Sequence, residues 1–336
     1  MFSAIYVERA VRDHGRVQQI LDRSGGVPII EIERYGEVFN RSGQSFRIQK
    51  QAPALILAEK HGRKVLPTPP GYGFESPQDV AAANGGNGFY FSHMLNCVYD
   101  CRYCFLQGMY RSANYVLFVN YEDFAEEIVT TIGTAPGNSV FYSGYDCDSL
   151  ALEPVSEFCD FILPLFRDHP AATLELRSKS TQVRRLLRVE PLPNCVVAMS
   201  FSPSSIAERW EQKVPTLAKR IDALAKLQEA GWPVAIRFEP VIATDSTSAD
   251  YEELFSQVFS QIDPQALHSC SLGEYRLPQD FYKRMVKLYP DEALLARDVD
   301  VSNGMVSLRD SGDELLKSLE AKLLAYISPK IYYRCA

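Results

Sequence analysis

The chain has 336 residues, 46% of them hydrophobic, enough for one large domain with an appendage or for two modest ones. Its 42 acidic residues outnumber 35 lysines and arginines, and the resulting net charge of −7 disfavours attachment to nucleic acid by bulk electrostatics. The longest apolar runs, such as CVVAM at 195–199, are too short to cross a bilayer, and the charged start MFSAIYVERAVRDHG lacks the apolar core of a secretory signal.

Residues 1–85 read as a small α/β appendage. A helix is expected at about 7–23, then strands in PIIEIERY and APALILAEK, then a Gly-, Pro- and Asn-rich linker running from PTPPGYGFESPQ to NGGNG at 84–88. From 86 to 275, β-rich runs alternate with amphipathic stretches. The expected strands are 88–95, 138–144, 172–178, 194–202, 232–243 and 266–272. The expected helices between them are 121–132, 152–166, 181–187, 217–231 and 251–262. This order implies a parallel sheet with right-handed crossovers, hence a partial (β/α)6 barrel. A C-terminal extension, 276–336, adds helix and a hairpin at VSNGMV, where Asn303-Gly304 suits a type I′ turn.

The stretch NCVYDCRYCFLQG at 96–108 sets Cys97, Cys101 and Cys104 in the spacing C-x3-C-x2-C, at the C-terminal end of the first barrel strand, where βα barrels place their chemistry. Eight cysteines without a secretory signal indicate a reducing, cytoplasmic setting, in which thiols serve metals or catalysis. Three readings compete. Zinc in a closed site wants four ligands, and the nearest extra candidate is His93. A redox pair would use Cys101 and Cys104 and leave Cys97 unexplained. A [4Fe–4S] cluster on three thiolates keeps one iron open for a substrate or cofactor, and this reading best fits the tight spacing.

The spacing, with Tyr103 before the third cysteine, is identified as the signature of the radical S-adenosylmethionine (SAM) superfamily. There the open iron binds the amino and carboxylate groups of SAM, whose reductive cleavage gives a 5′-deoxyadenosyl radical. Further stretches resemble one family within it, the spore photoproduct lyases: YCFLQ (103–107), ATLELRSKS (172–180), VVAMSFSP (196–203) and EAGWPVAIRFEPVI (229–242). AIYVE and RIQKQAPALILAEKHGRKV near the N-terminus are similar to that family too, so the resemblance spans nearly the whole chain. It implies direct reversal of a thymine dimer in damaged DNA, with an electron donor such as flavodoxin or ferredoxin. It also implies that Lys179 and Ser200 contact SAM, and that Ser143 and Gly144 do so through backbone at the end of the second strand.

The departures fall on the machinery that returns a hydrogen atom to the product. In the favoured alignment Tyr145 stands at the family's donor cysteine and Cys147 at a SAM-contacting serine; an ungapped alignment puts Cys147 on the donor itself. Phe105 replaces a relay tyrosine, and DVDVSNGMVSLRD lacks the basic, aromatic character of the family's DNA-entering hairpin. The catalytic candidates are therefore Cys147, Tyr145 and Tyr103, with Cys335 as a late-acting thiol. Cys147 also reads as a buried small apolar residue, and Asp148 with Ser149 as a helix cap. Cys159, Cys195 and Cys270 read as core. The basic stretch 177–188 reads as a solvated face; if it binds DNA, neutralising Arg184, Arg185 and Arg188 weakens that binding. The alternative function is radical epimerisation or rearrangement of a small molecule. A zinc or redox-sensing protein is the non-enzymatic reading.

Overall fold

The computed structural model describes residues 2–69, 72, 87–135 and 137–335, so most of the expected Gly- and Pro-rich linker lies outside the described residues. The six β-rich runs become parallel strands of one sheet: β1 (Gly88–Phe91), β2 (Val140–Ser143), β3 (Thr173–Ser178), β4 (Cys195–Ser200), β5 (Val234–Val241) and β6 (Leu267–Glu274). A seventh, β7 (Tyr332–Cys335), adds in parallel beside β6, and Val65–Pro67 closes the other edge antiparallel to β1. Amphipathic helices cover the outer face. Tyr121–Thr134, for example, buries Tyr121, Phe124 and Ile128, one stripe at helical spacing.

The sheet curls. Glu175 on β3 reaches Arg237 on β5 at 2.7 Å, passing over β4, whose facing side chains are Val196 and Ala198. Such a contact between strands that are not neighbours is possible only on a concave face. The ladder register assigns to that face Tyr90, Tyr142, Glu175 and Arg177, then Ser200, Arg237, Ser271 and Tyr333. This is the half-barrel expected from the sequence, with a polar lumen.

A second sheet, in the order Ile29–Ile32, Ile5–Glu8, Leu55–Ala58, Tyr115–Phe118 and Met94–Leu95, takes its last two strands from the link between β1 and β2. The cysteine loop is thus strung between the two sheets.

Local expectations needed four corrections. The helix expected from residue 7 begins at Gly15, because Ile5–Glu8 pairs on both sides as a strand. The strand expected over 88–95 breaks after Phe91 and changes sheet. The stretch 181–187 forms only a 3-10 turn at Leu186–Arg188, since Ser178 and Ser180 hydroxyls take the Ser180 and Gln182 N–H groups and compete with helix formation. The helix expected over 152–166 splits at Glu157, which is left-handed (φ 49°), into Glu153–Ser156 and Phe158–Asp168. Among the described residues no helix is long and apolar enough to cross a membrane.

The split has a chemical consequence. Glu153 is 2% exposed, and its carboxylate accepts the Cys159 N–H at 3.0 Å, capping the second helix. Burial pushes its pKa from the usual 4.5 up to about 7. A raised carboxyl stabilises the fold below its unfolded pKa, and that contribution is lost as pH rises through about 7. Glu153→Gln should therefore gain on the wild type by about 3 kcal/mol between pH 4.5 and pH 8, read from denaturant midpoints at each pH.

Candidate active site

Asn96 opens the cysteine loop in a left-handed conformation (φ 73°), a region that asparagine tolerates better than most residues. Its side-chain amide donates to the carbonyls of Ser112 (2.8 Å) and Asn114 (3.1 Å), and its oxygen accepts the Cys97 N–H (3.1 Å). From the other side, the buried Lys50 ammonium donates to the Cys97 and Tyr99 carbonyls, both at 3.1 Å. Asp100–Cys101 pairs antiparallel with Glu211–Gln212, and Arg102 N–H donates to the Trp210 carbonyl. The loop is held by backbone on one side and by two long-range polar anchors on the other.

Within it the thiols are largely buried. Burial pushes Cys97 up to about 12, Cys101 well above the usual thiol range, and Cys104 upward, so none ionises readily alone. Counter-influences are built in: Lys50 favours the thiolates of Cys97 and Cys104, Lys179 those of Cys101 and Cys104, and the Tyr99 and Leu106 N–H groups face sulfur. Buried thiols with cations and N–H donors around them are the environment a thiolate-ligated cluster needs. The zinc reading fares worse. His93 stacks on Phe158 in the core (3.9 Å, 4°), with its pKa lowered to about 3 by burial. No set of three His, Cys, Asp or Glu among the described residues is arranged to hold a single metal ion.

The other expected site residues gather at the C-terminal ends of the strands. Gly144 follows β2 with φ 89°, and a Cβ there would meet Ser149 Oγ at 2.5 Å, so only glycine fits. Ser143 is buried, its hydroxyl without a partner, while its carbonyl accepts from Ser149 Oγ at 2.8 Å. Asp148 accepts N–H groups from Leu150 and Ala151, the hydroxyl of Ser178 and the N–H of Lys179. It caps the next turn and also ties the ends of β2 and β3 together. Lys179 extends from β3 to within 3.8 Å of Glu211, and its ammonium lies 5.6 Å from the Tyr103 ring centre. Ser200 ends β4 on the concave face, with its carbonyl accepting from Arg220 at 2.9 Å.

The hydrogen-return candidates fall in different places. Tyr145 stands in an aromatic cluster at the mouth, 4.4 Å from Tyr90, 5.2 Å from Tyr72 and 5.6 Å from Phe105 between ring centres; burial and neighbouring Tyr90 raise its pKa to about 12. Cys147 is buried, its sulfur facing the Met94 N–H, and burial with the nearby Cys97 disfavours its ionisation. Tyr103 is buried as well, its hydroxyl donating to Glu211. Cys335, in β7, lies opposite Gly273; a Cβ on that glycine would meet Cys335 Cβ at 3.2 Å and Glu239 Cγ at 3.0 Å.

Glu211, Arg220, Lys50 and Asn96 escaped the sequence reading. Asn96 alone had a local signal, its place beside the first cysteine; Glu211 meets Tyr103 across 108 residues of chain, Lys50 meets Cys97 across 47, and Arg220 meets Glu211 and Ser200 across 9 and 20. The basic stretch 177–188 also divides: Arg177 turns into the lumen, and Arg185 pairs with Glu157 and Asp160 on the outer helix. Arg184 and Arg188 stay exposed.

The spore photoproduct lyase family model matches residues 89–299. The spore photoproduct lyase of Bacillus subtilis (strain 168) is 21% identical over 296 residues, covering 86% of this chain and 83% of its own. A solved cysteine-to-serine mutant of spore photoproduct lyase superposes with a TM-score of 0.82 at 16% identity, covering 99% of both chains. A double mutant with bound AdoMet and dinucleoside spore photoproduct gives 0.82 at 15% identity, covering 100% of this chain and 98% of that one. At that identity the structures establish the fold.

Removing the charge of Glu211 should separate packing from electrostatics. Glu211→Gln leaves the buried Arg220 and the half-buried Lys179 without a counter-charge, and is expected to lower stability by about 3–5 kcal/mol in urea titrations of the apoprotein at pH 7.

Proposed function

Because the chain belongs to the spore photoproduct lyase family, we propose that it is a radical SAM lyase that reverses a thymine photoproduct in DNA, with a [4Fe–4S] cluster on Cys97, Cys101 and Cys104. The observation that carries this reading is the placing of three largely buried thiols, Lys179 and Ser200 at neighbouring strand ends of one half-barrel. When bound, the cluster and SAM supply the 5′-deoxyadenosyl radical that takes a hydrogen atom from the lesion. A relative of the same fold holds AdoMet and a dinucleoside photoproduct together, which supports a shared mouth for both.

The chain's own residues prepare that mouth. Lys179 offers its ammonium to the carboxylate of SAM, with Glu211 fixing the side chain from behind. Ser200 adds a hydroxyl on the next strand, and the glycine turn at 144 lets backbone approach closely. Tyr145, among Tyr90 and Tyr72, is the hydrogen-returning group that faces the mouth; the buried Cys147 takes a packing role. One electron per cleavage comes from a small redox protein of the flavodoxin or ferredoxin type.

Anaerobic reconstitution with SAM, reductant and a dinucleoside thymine photoproduct tests this directly. Mass spectrometry should find restored thymine together with 5′-deoxyadenosine. Cys101→Ala should lose the iron–sulfur absorbance and reduce both products to background. Deoxyadenosine without restored thymine would retain the radical chemistry and exclude this substrate.

A further inference from the structure

The lumen holds two ion pairs on one concave face. The lower, Glu175–Arg237 (2.7 Å), is sealed in the barrel, whereas the upper, Arg177–Glu239 (3.3 Å), has side chains 14% and 16% exposed toward the mouth. Arg177 Nε also donates to Glu175, and the Ser271 hydroxyl donates to Glu239, so the two layers brace each other. Small side chains, Val196 and Ala198 on the strand between and Ala235 on β5, leave the room that these long chains occupy.

Ion pairs this deep contribute little net stability, and apolar residues would fill the same space as well. The upper pair also keeps an unused donor: Arg177 Nη2 is buried without a hydrogen-bond partner. The Tyr72 ring lies 4.9 Å from that guanidinium and 5.2 Å from Tyr145, which packs in turn on Tyr90. The mouth therefore has an aromatic wall and, beneath it, a donor next to an acceptor.

We propose that Arg177 and Glu239 form a subsite for the imide edge of a pyrimidine in the lesion. Arg177 Nη2–H donates to a ring carbonyl, and the ring N3–H donates to the Glu239 carboxylate, while the aromatic wall covers the ring face. Thymine and uracil present that pattern. Cytosine presents an acceptor at N3, which would face a carboxylate, and is excluded. The inference rests on the reading of the preceding subsection and deepens it by naming what selects the base.

The test measures binding of a dinucleoside thymine photoproduct to the anaerobically reconstituted holoenzyme, beside an analogue methylated at N3. A hydrogen bond to a charged group predicts that methylation weakens wild-type binding by about 10–100-fold. Glu239→Ala should bind the two compounds within about threefold of each other, and Glu239→Gln, which keeps an acceptor, should restore part of the penalty. An equal penalty in wild type and Glu239→Ala would overturn the subsite. If the alanine variant does not fold, Arg177→Met decides: photoproduct binding about 10–100-fold weaker supports the subsite, and unchanged binding overturns it. A wild type that binds neither compound would overturn the lyase reading itself, and this inference with it.

Discussion

The Glu211 carboxylate accepts hydrogen bonds from the Tyr103 hydroxyl, from Ser202 (2.9 Å) and from Arg220 (2.6 Å), and stands 3.8 Å from the Lys179 ammonium. Those groups come from the cysteine loop, the end of β4, an outer helix and the end of β3. Burial alone would raise the carboxyl's pKa, but Lys179 and Arg220 outweigh it and hold the group charged. One anion thereby ties the cysteine loop and an outer helix to the ends of β3 and β4, two strands already joined by their own ladder. Because Glu211 also pairs by backbone with Cys101, the thiol loop and the cation at its edge share one reference point.

That constraint explains why the loop can be irregular. Between Asn96 and Cys104 only two residues take part in a ladder, and a loop with so little regular structure ordinarily frays. Here its backbone carbonyls are taken by Lys50, its entry is turned by Asn96, and its exit runs into the Leu106–Met109 turn. That turn is pinned by a close backbone approach, since a Cβ on Gly108 would lie 2.3 Å from the Phe281 carbonyl oxygen. Lys50, at the end of the short N-terminal helix Phe46–Gln49, and the C-terminal helix Gln279–Leu288 thus both brace the loop. The extensions flanking the barrel buttress it.

The barrel strands were legible because each is a buried, β-rich run bounded by turn residues, and the cysteine loop because its spacing is local. Strand changes were not. Phe91 and Met94 look like one run, and only the pairing of Met94–Leu95 with Tyr115–Phe118 shows that the chain has left the barrel. The end of the short strand Ile5–Glu8, Val7 and Glu8, reads as helix in sequence because its register partners lie more than twenty residues away. The polar lumen was hidden for the same reason. Arg177 and Arg237 look like solvent-facing charges in sequence, and their burial follows from curvature, a property of the whole sheet. Cys147 and Tyr145 sit two residues apart, and sequence alone could not say which of them faces the mouth.

Charge and shape together bear on how such a protein meets DNA. The hairpin Val299–Ser302 and Met305–Leu308 turns at Asn303-Gly304 as its sequence requires, but Arg309 beside it is occupied by Asp298 and Asp300, and Val301 stands 52% exposed. Arg185 is likewise neutralised by neighbouring acids. The net charge of −7 gives the chain no overall excess of cations to displace phosphate counterions, and such displacement falls to exposed arginines such as Arg184 and Arg188. On the reading proposed above, an aromatic mouth over a donor–acceptor floor would suit a base already displaced from its stack, where a lesion makes displacement least expensive. Selectivity for damage would then arise from the same lumen charges that stability alone does not require.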